Sequence, residues 1–280
     1  MDWLAQINAE KFILFTLVLT RVSGLMITAP VYGTPEVPAQ VRALLAVALA
    51  VLITPTQWHA SVEDPGTTIH YLVFLGSELV IGMSLGLGIT ILFSGIQVAG
   101  QMMGRIGGLM LADVFDPSSG TSIPMFSRLM LLVATAVFLT IGGHRIVMAG
   151  LLDTFQTIPP GSGAVPTSIA NTFVLLLAQS FTLAVRAAAP VVTSLLLSTL
   201  VMGLISRTLP QLNILAVGFG MNAMLTFGAL ALSLGTAVWV FQEQIEPALE
   251  MLLEEVGSGE WGVESRQMPA TPPWQLTTSH

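Results

Sequence analysis

Gly203-Leu204-Ile205-Ser206-Arg207-Thr208-Leu209-Pro210-Gln211-Leu212-Asn213 is a polar elbow between two of the longest uncharged runs in the chain. No Asp, Glu, Lys or Arg occurs from 187 to 206, and none from 208 to 242. Pro210 lacks a backbone N–H and disfavours helix at Leu209, so the helices on either side must break there. Arg207, Gln211 and Asn213 gather hydrogen-bonding groups at that junction. An apolar stretch of about 20 residues suffices to cross a bilayer as a helix. The elbow therefore predicts long apolar helices joined by short polar breaks.

Composition agrees. Of 280 residues, 53% are apolar and 9% charged, against about 25% charged in an ordinary soluble domain. So few charges cannot cover a water-facing surface, and the solvent for much of this chain is lipid or protein. Only helices and closed barrels satisfy their backbone in lipid, and unbroken apolar runs favour helices over alternating strands. The chain has no cysteine, which excludes disulfides, thiolate metal sites and a cysteine nucleophile. The net charge of -7 says little about partners, because seven of the acidic residues lie after Phe241. Residues 1–11 carry Asp2 and Glu10 without a basic run, so no cleavable signal peptide is expected.

Outward from the elbow, the fold expected is all-α and polytopic, with six apolar segments at 12–31, 41–54, 71–103, 125–141, 168–204 and 212–241. The second is short for a full span. The third is overlong and carries a glycine face that includes the Gly82/Gly86 pair, a spacing that permits close helix approach. The fifth contains Arg186 and Pro190 and reads as one kinked helix or a hairpin of two. Residues 153–167, with Pro159-Pro160-Gly161, read as a loop. Beyond 241, Glu243, Glu246, Glu250, Glu254 and Glu255 alternate with Ile245, Leu249, Leu252 and Leu253 as an acidic amphipathic helix. The helical domain is thus set at 1–256, and 257–280 as a tail without fixed structure. Arginines at 42, 105, 128 and 207 place the odd-numbered loops in the cytoplasm and the N-terminus outside, with Arg145 and Lys11 opposed.

Arg21, Glu78 and Arg186 lie inside apolar runs, where a charge costs roughly 2.5–3.5 kcal/mol on insertion scales. They face protein, water or each other, either as a translocation path or proton relay, or as pairs inside an oligomer, or on helices that do not sit in the hydrocarbon at all. A Glu78–arginine pair is one such reading, testable by exchanging the two charges. His144 beside Gly142-Gly143 reads as a turn residue, and the remaining histidines are dispersed, so no metal cluster is expected. Ser206 has no accompanying histidine. Gly104-Arg105-Ile106-Gly107-Gly108 lacks the lysine of a phosphate cradle, Lys11 being the chain's one lysine. No cofactor and no enzymatic activity are expected. The methionines at 102, 103, 110, 125, 130, 202, 221 and 224 read as fillers of irregular core or as a deformable gasket.

Several motifs, in order, resemble one family. Arg21-Val22-Ser23-Gly24-Leu25 with Ala29-Pro30, Pro38 and Val41-Arg42 is similar to the N-terminal signature of the FliR-type export-gate proteins, called SctT in injectisomes. Glu78 to Gly86, Ala99-Gly100-Gln101-Met102-Met103-Gly104, Asp116-Pro117, Gly143-His144 and Phe155-Gln156-Thr157-Ile158-Pro159 resemble its later motifs. Arg207, Pro210-Gln211-Leu212-Asn213 and Gly218-Phe219 are similar to its most distinctive stretch. The series covers residues 12–241. Two positions depart: Thr154 stands where a serine is common, and Gly220-Met221-Asn222 where proline, a hydrophobe and lysine are frequent.

The resemblance implies a core structural and gating subunit of type III protein export. It would assemble in a ring with FliP-type and FliQ-type subunits, with an FlhB-type subunit nearby, in the bacterial inner membrane at a flagellar basal body or injectisome base. It implies unfolded export substrates and lipid contact, and no nucleic acid. Much of the assembly would be lifted out of the bilayer plane, with protein around Arg21, Glu78 and Arg186. The third segment would form a bent hairpin in the ring. It also implies that the loop 105–124 is a pore plug. In that loop Gly107 and Gly108 would give mobility, Leu109, Met110, Leu111 and Phe115 would seat against a hydrophobic constriction, and Asp116 and Pro117 would belong to the same plug. Arg21, Glu78, Arg186, Arg207, Gln211 and Asn213 would hold neighbouring helices. The alternative reading is a proton-coupled small-molecule secondary transporter with Glu78 as the carrier.

Overall fold

The computed structural model describes residues 2–33, 37–58, 66–107, 125–162, 169–208 and 214–257. Regular structure among them is helical: α1 Asp2–Thr28, α2 Ala39–Ile53 running into a 3-10 turn Thr54–Gln57, α3 Thr68–Ile106, α4 Met125–Thr140, α5 Gly143–Thr157, α6 Ile169–Thr208 and α7 Ile214–Gly257. Four helices are long and apolar enough to cross a membrane, or up to six if each of two bent pairs counts as one span. The chain is an all-α polytopic membrane protein.

The helix limits follow from local chemistry. Thr67 caps α3, its hydroxyl accepting the His70 N–H at 3.4 Å. Between α4 and α5 the axis turns by 67°. The turn passes through Gly142 at φ 76°, a left-handed conformation that costs any side chain a clash. α6 stops two residues before Pro210.

Three expectations are corrected. The third segment is one unbroken helix of 39 residues, not a bent hairpin. It contains no proline, and Gly82, Gly86, Gly88, Gly95 and Gly100 are packed against neighbouring helices rather than used as hinges. Residues 153–157, expected in a loop, complete α5, which continues until Pro159 prevents helix at Ile158. The acidic helix is not separate: it is the last part of the 44-residue α7. The choice left open at 168–204 resolves as a single 40-residue helix running through Pro190. Of the expected tail, Gly257 ends α7 and 258–280 lie outside the described residues.

α3 is the axis of the bundle, with α1, α4, α6 and α7 packed against it. Glycines make the tightest of these contacts. A Cβ at Gly24 would lie 2.6 Å from the Leu79 carbonyl oxygen, and one at Gly82 would fall on the Arg21 carbonyl. One at Gly100 would meet the Phe126 carbonyl at 2.6 Å. Side-chain hydroxyls reinforce the crossings: Thr90 donates to the Thr28 carbonyl at 2.6 Å and Ser180 to the Ile91 carbonyl at 2.8 Å. Phe93 stands edge-on to both Phe138 and Phe241, at 5.5 and 5.6 Å, and ties α3 to α4 and α7.

Candidate functional site

Arg21 on α1 and Glu78 on α3 meet where those helices cross at Gly24 and Gly82. Both are fully buried. Arg21 Nε donates to Glu78 Oε2 at 2.5 Å. One terminal nitrogen donates to the Thr154 carbonyl and hydroxyl at 2.9 and 3.3 Å, and the other to the Ile158 carbonyl at 3.0 Å. The second Glu78 oxygen accepts the Gly161 N–H at 2.9 Å. Phe155 lies 4.3 Å under the guanidinium carbon. The knot fastens the end of α5 and its Pro-Pro-Gly turn onto α1 and α3. Gly161, at φ 83°, gives the turn the left-handed residue it needs.

The energetics favour retention over strength. A buried pair gains little over an apolar substitute, yet removing one partner costs about 3–5 kcal/mol because the other charge is stranded. Thr154, Ile158 and Gly161, which complete the site, were not marked by their residue types. The hydroxyl that Arg21 meets at 154 is one that serine and threonine share, so the departure there is conservative.

The other charged residues lie elsewhere. Arg186 pairs with Glu243 of α7 at 3.2 Å, with the two side chains 43% and 47% exposed. Arg207 is exposed in the last turn of α6. Gln211 and Asn213 lie outside the described residues, as do Gly108, Leu109, Met110, Leu111, Phe115, Asp116 and Pro117.

Both ends of that loop are described. Gly107 caps α3, and a Cβ there would lie 2.6 Å from the Thr226 hydroxyl oxygen of α7. The ring of the next α7 residue, Phe227, lies 5.5 Å from that of Phe126, in the first turn of α4, at a tilt of 45°. One turn of α7 therefore touches both anchors of 108–124. The methionines divide: Met103 and Met130 are core, while Met125 and Met224, near these anchors, are exposed.

The family described as "Bacterial export proteins, family 1" matches residues 12–248. The chain is 32% identical over 237 residues to the flagellar biosynthetic protein FliR of Aquifex aeolicus, covering 82% of this chain and 88% of that protein. It is 31% identical over 224 residues to FliR of Bacillus subtilis, covering 78% and 85%. With FliR of Escherichia coli it shares 32% over 233 residues, covering 82% and 85%. The matched region runs from the start of the first apolar stretch, through the Arg21–Glu78 knot and both anchors of the central loop, into α7. The chain belongs to the bacterial export proteins, family 1, the FliR-type family, whose members are export components and not enzymes.

Proposed function

We propose that this chain is a core subunit of the flagellar protein export gate in the bacterial inner membrane, helping to build and seal the pore through which unfolded proteins leave. Its partners would be FliP-type and FliQ-type subunits and an FlhB-type subunit. One observation carries the need for partners. α6 exposes apolar side chains from Val174 through Phe181 and Leu197 to Leu204. That stripe is about 45 Å long at 1.5 Å per residue. Hydrocarbon covers only about 30 Å. The remainder needs a protein cover, and helical partners supply one.

The loop 105–124 is proposed as the seal, with α7 holding its two ends through Thr226 and Phe227. A hydrophobic constriction can gate by excluding water. The transporter alternative is weaker, because a proton carrier must meet water on alternate sides. Glu78 has no exposed surface, and both its oxygens are engaged by donors.

The test is co-expression with the FliP-type and FliQ-type subunits, affinity purification in mild detergent and mass spectrometry. Recovery of this chain as a stable monomer in the presence of those subunits would overturn the assembly. Removing residues 107–116 should raise ion leakage across the inner membrane. Unchanged leakage from complexes that still assemble would sink the plug.

A further inference from the structure

The end of α1 and the start of α2 line a cleft of about 240 Å³. Its walls are apolar, formed by Met26 and Ile27 on α1 and by Ala43 and Ala46 on α2, with Ser23 at one side. One cation, Arg42, enters it. Arg42 Nε is buried and has no hydrogen-bond partner among the described residues. Burying an unmatched donor of a charged group is costly, so the site is incomplete as it stands.

The helix end sharpens the requirement. Arg42 is in the first turn of α2, which begins at Ala39. Pro38 provides no side-chain cap, and no acidic residue occupies that turn. A cation at a helix N-terminus opposes the dipole unless an anion stands between them. The Arg42 guanidinium at this helix end, beside Ser23 in one small space, then suits a phosphate or carboxylate.

The rest of α2 decides between those anions. Its outer face is apolar from Leu44, 73% exposed, to Leu52, 70% exposed. It is long and apolar enough to cross a membrane. At its far end Trp58 is exposed, with the Lys11 ammonium 4.5 Å above its ring. Tryptophan with lysine marks a membrane–water interface. Arg42 lies about 24 Å from Trp58 at 1.5 Å per helical residue, which puts it near the opposite headgroup layer. The cleft is smaller than the ~300–1,000 Å³ of drug-sized sites. It holds a headgroup, not a whole lipid, and acyl chains would run outside along Leu44 and Leu52.

We infer that the α1–α2 cleft is a binding site for the phosphate headgroup of an anionic phospholipid, held by Arg42. The lipid gives the buried Arg42 Nε its partner and fixes the depth of α2 in the bilayer.

The test uses the full chain, co-purified with its gate subunits in detergent and delipidated. Dioleoylphosphatidylglycerol, dioleoylphosphatidylcholine or inorganic phosphate is then added, and retained lipid is counted by native mass spectrometry. Phosphatidylglycerol should be retained and should raise the melting midpoint, while phosphatidylcholine and inorganic phosphate should do neither. Arg42→Gln should reduce phosphatidylglycerol retention about tenfold, the loss expected from one charge-assisted contact. Arg145→Gln, at an exposed arginine on α5, should leave retention unchanged. Should Arg42→Gln fail to assemble, Ala43→Phe fills the cleft, keeps the charge and should lose the lipid equally. Equal retention in wild type and both cleft variants overturns the assignment. So does equal protection by phosphatidylcholine, or protection by inorganic phosphate alone. A photo-crosslinker at position 43 that captures a gate subunit instead of lipid would also overturn it, and would assign Arg42 to a partner carboxylate.

Discussion

Gly24→Ala and Gly76→Ala make the same chemical change at helical glycines, yet they should move stability in opposite directions. Alanine is favoured over glycine in a helix interior by about 1 kcal/mol. At Gly76 a Cβ meets nothing within 4 Å, so that gain is realised in part or whole. At Gly24 the Cβ would lie 2.6 Å from the Leu79 carbonyl oxygen and 2.9 Å from the Met83 nitrogen. Both are backbone atoms of α3 and cannot rotate away. An ordinary contact of about 3.5 Å requires the helices to part by about 0.9 Å. The same displacement stretches the Arg21–Glu78 contact from 2.5 Å to roughly 3.4 Å, beyond a good charge-assisted hydrogen bond. Overpacking of this kind costs about 1–3 kcal/mol. After the propensity gain of about 1 kcal/mol, a net loss of up to ~2 kcal/mol remains. At about 2–4 °C per kcal/mol, Gly24→Ala should melt up to ~8 °C below wild type and Gly76→Ala at or slightly above it. Tryptophan-fluorescence melts in one detergent at fixed protein concentration measure both. If Gly24→Ala melts with or above Gly76→Ala, the α1–α3 crossing is not as close as described and the argument fails.

Glu78→Ala should lose about 3–5 kcal/mol by stranding Arg21, while Arg21→Met combined with Glu78→Met should recover much of it, read from the same melts. Exchanging the charges, Arg21→Glu with Glu78→Arg, should not restore assembly. A carboxylate at 21 would face the Thr154 and Ile158 carbonyls, and an arginine at 78 would face the Gly161 N–H; full recovery on a native gel would refute the donor count. Gly142→Ala should cost ~1–2 kcal/mol through its left-handed backbone alone, because the space beside it is open; an unchanged melting midpoint would show that the turn relaxes. Arg186→Gln should change the midpoint by less than the equivalent of about 1 kcal/mol, since its pair with Glu243 is nearly half exposed; a loss as large as that of Glu78→Ala would refute this.

Periodicity, apolar run length and proline positions made the helices legible, and charge within apolar runs singled out Arg21, Glu78 and Arg186. Their partners were not legible, because pairing is a long-range property. Arg21 finds Glu78 and Arg186 finds Glu243, across similar stretches of chain, yet one pair is sealed and the other half exposed. Residue type and spacing are the same in both cases. The neighbours differ: Gly24 and Gly82 bring α1 and α3 together around the first pair, and no such glycine contact surrounds the second among the described residues. The expected bend in α3 is absent because glycines such as Gly82 and Gly100 pack against neighbours instead of bending the helix. The choice left open at 168–204 falls to one helix because Pro190 sits within α6 without ending it.

The same distinction bears on the proposed gating role. The Arg21–Glu78 knot is fully satisfied within this chain: Arg21 has Glu78, two carbonyls and a hydroxyl, and Glu78 has two donors. Such a site resists change, because any movement leaves several buried groups unpaired at once. The contacts at the anchors of 108–124 are of another kind. Gly107 touches Thr226 by close packing, and the Phe126 and Phe227 rings meet tilted at 45°. Contacts of that kind can slide without stranding a charge. On the proposed gating role, the gate must open repeatedly without unfolding its frame. Polar locking at the α1–α3–α5 crossing and close packing at the loop anchors would then divide the molecule into a part suited to stay fixed and a part suited to move.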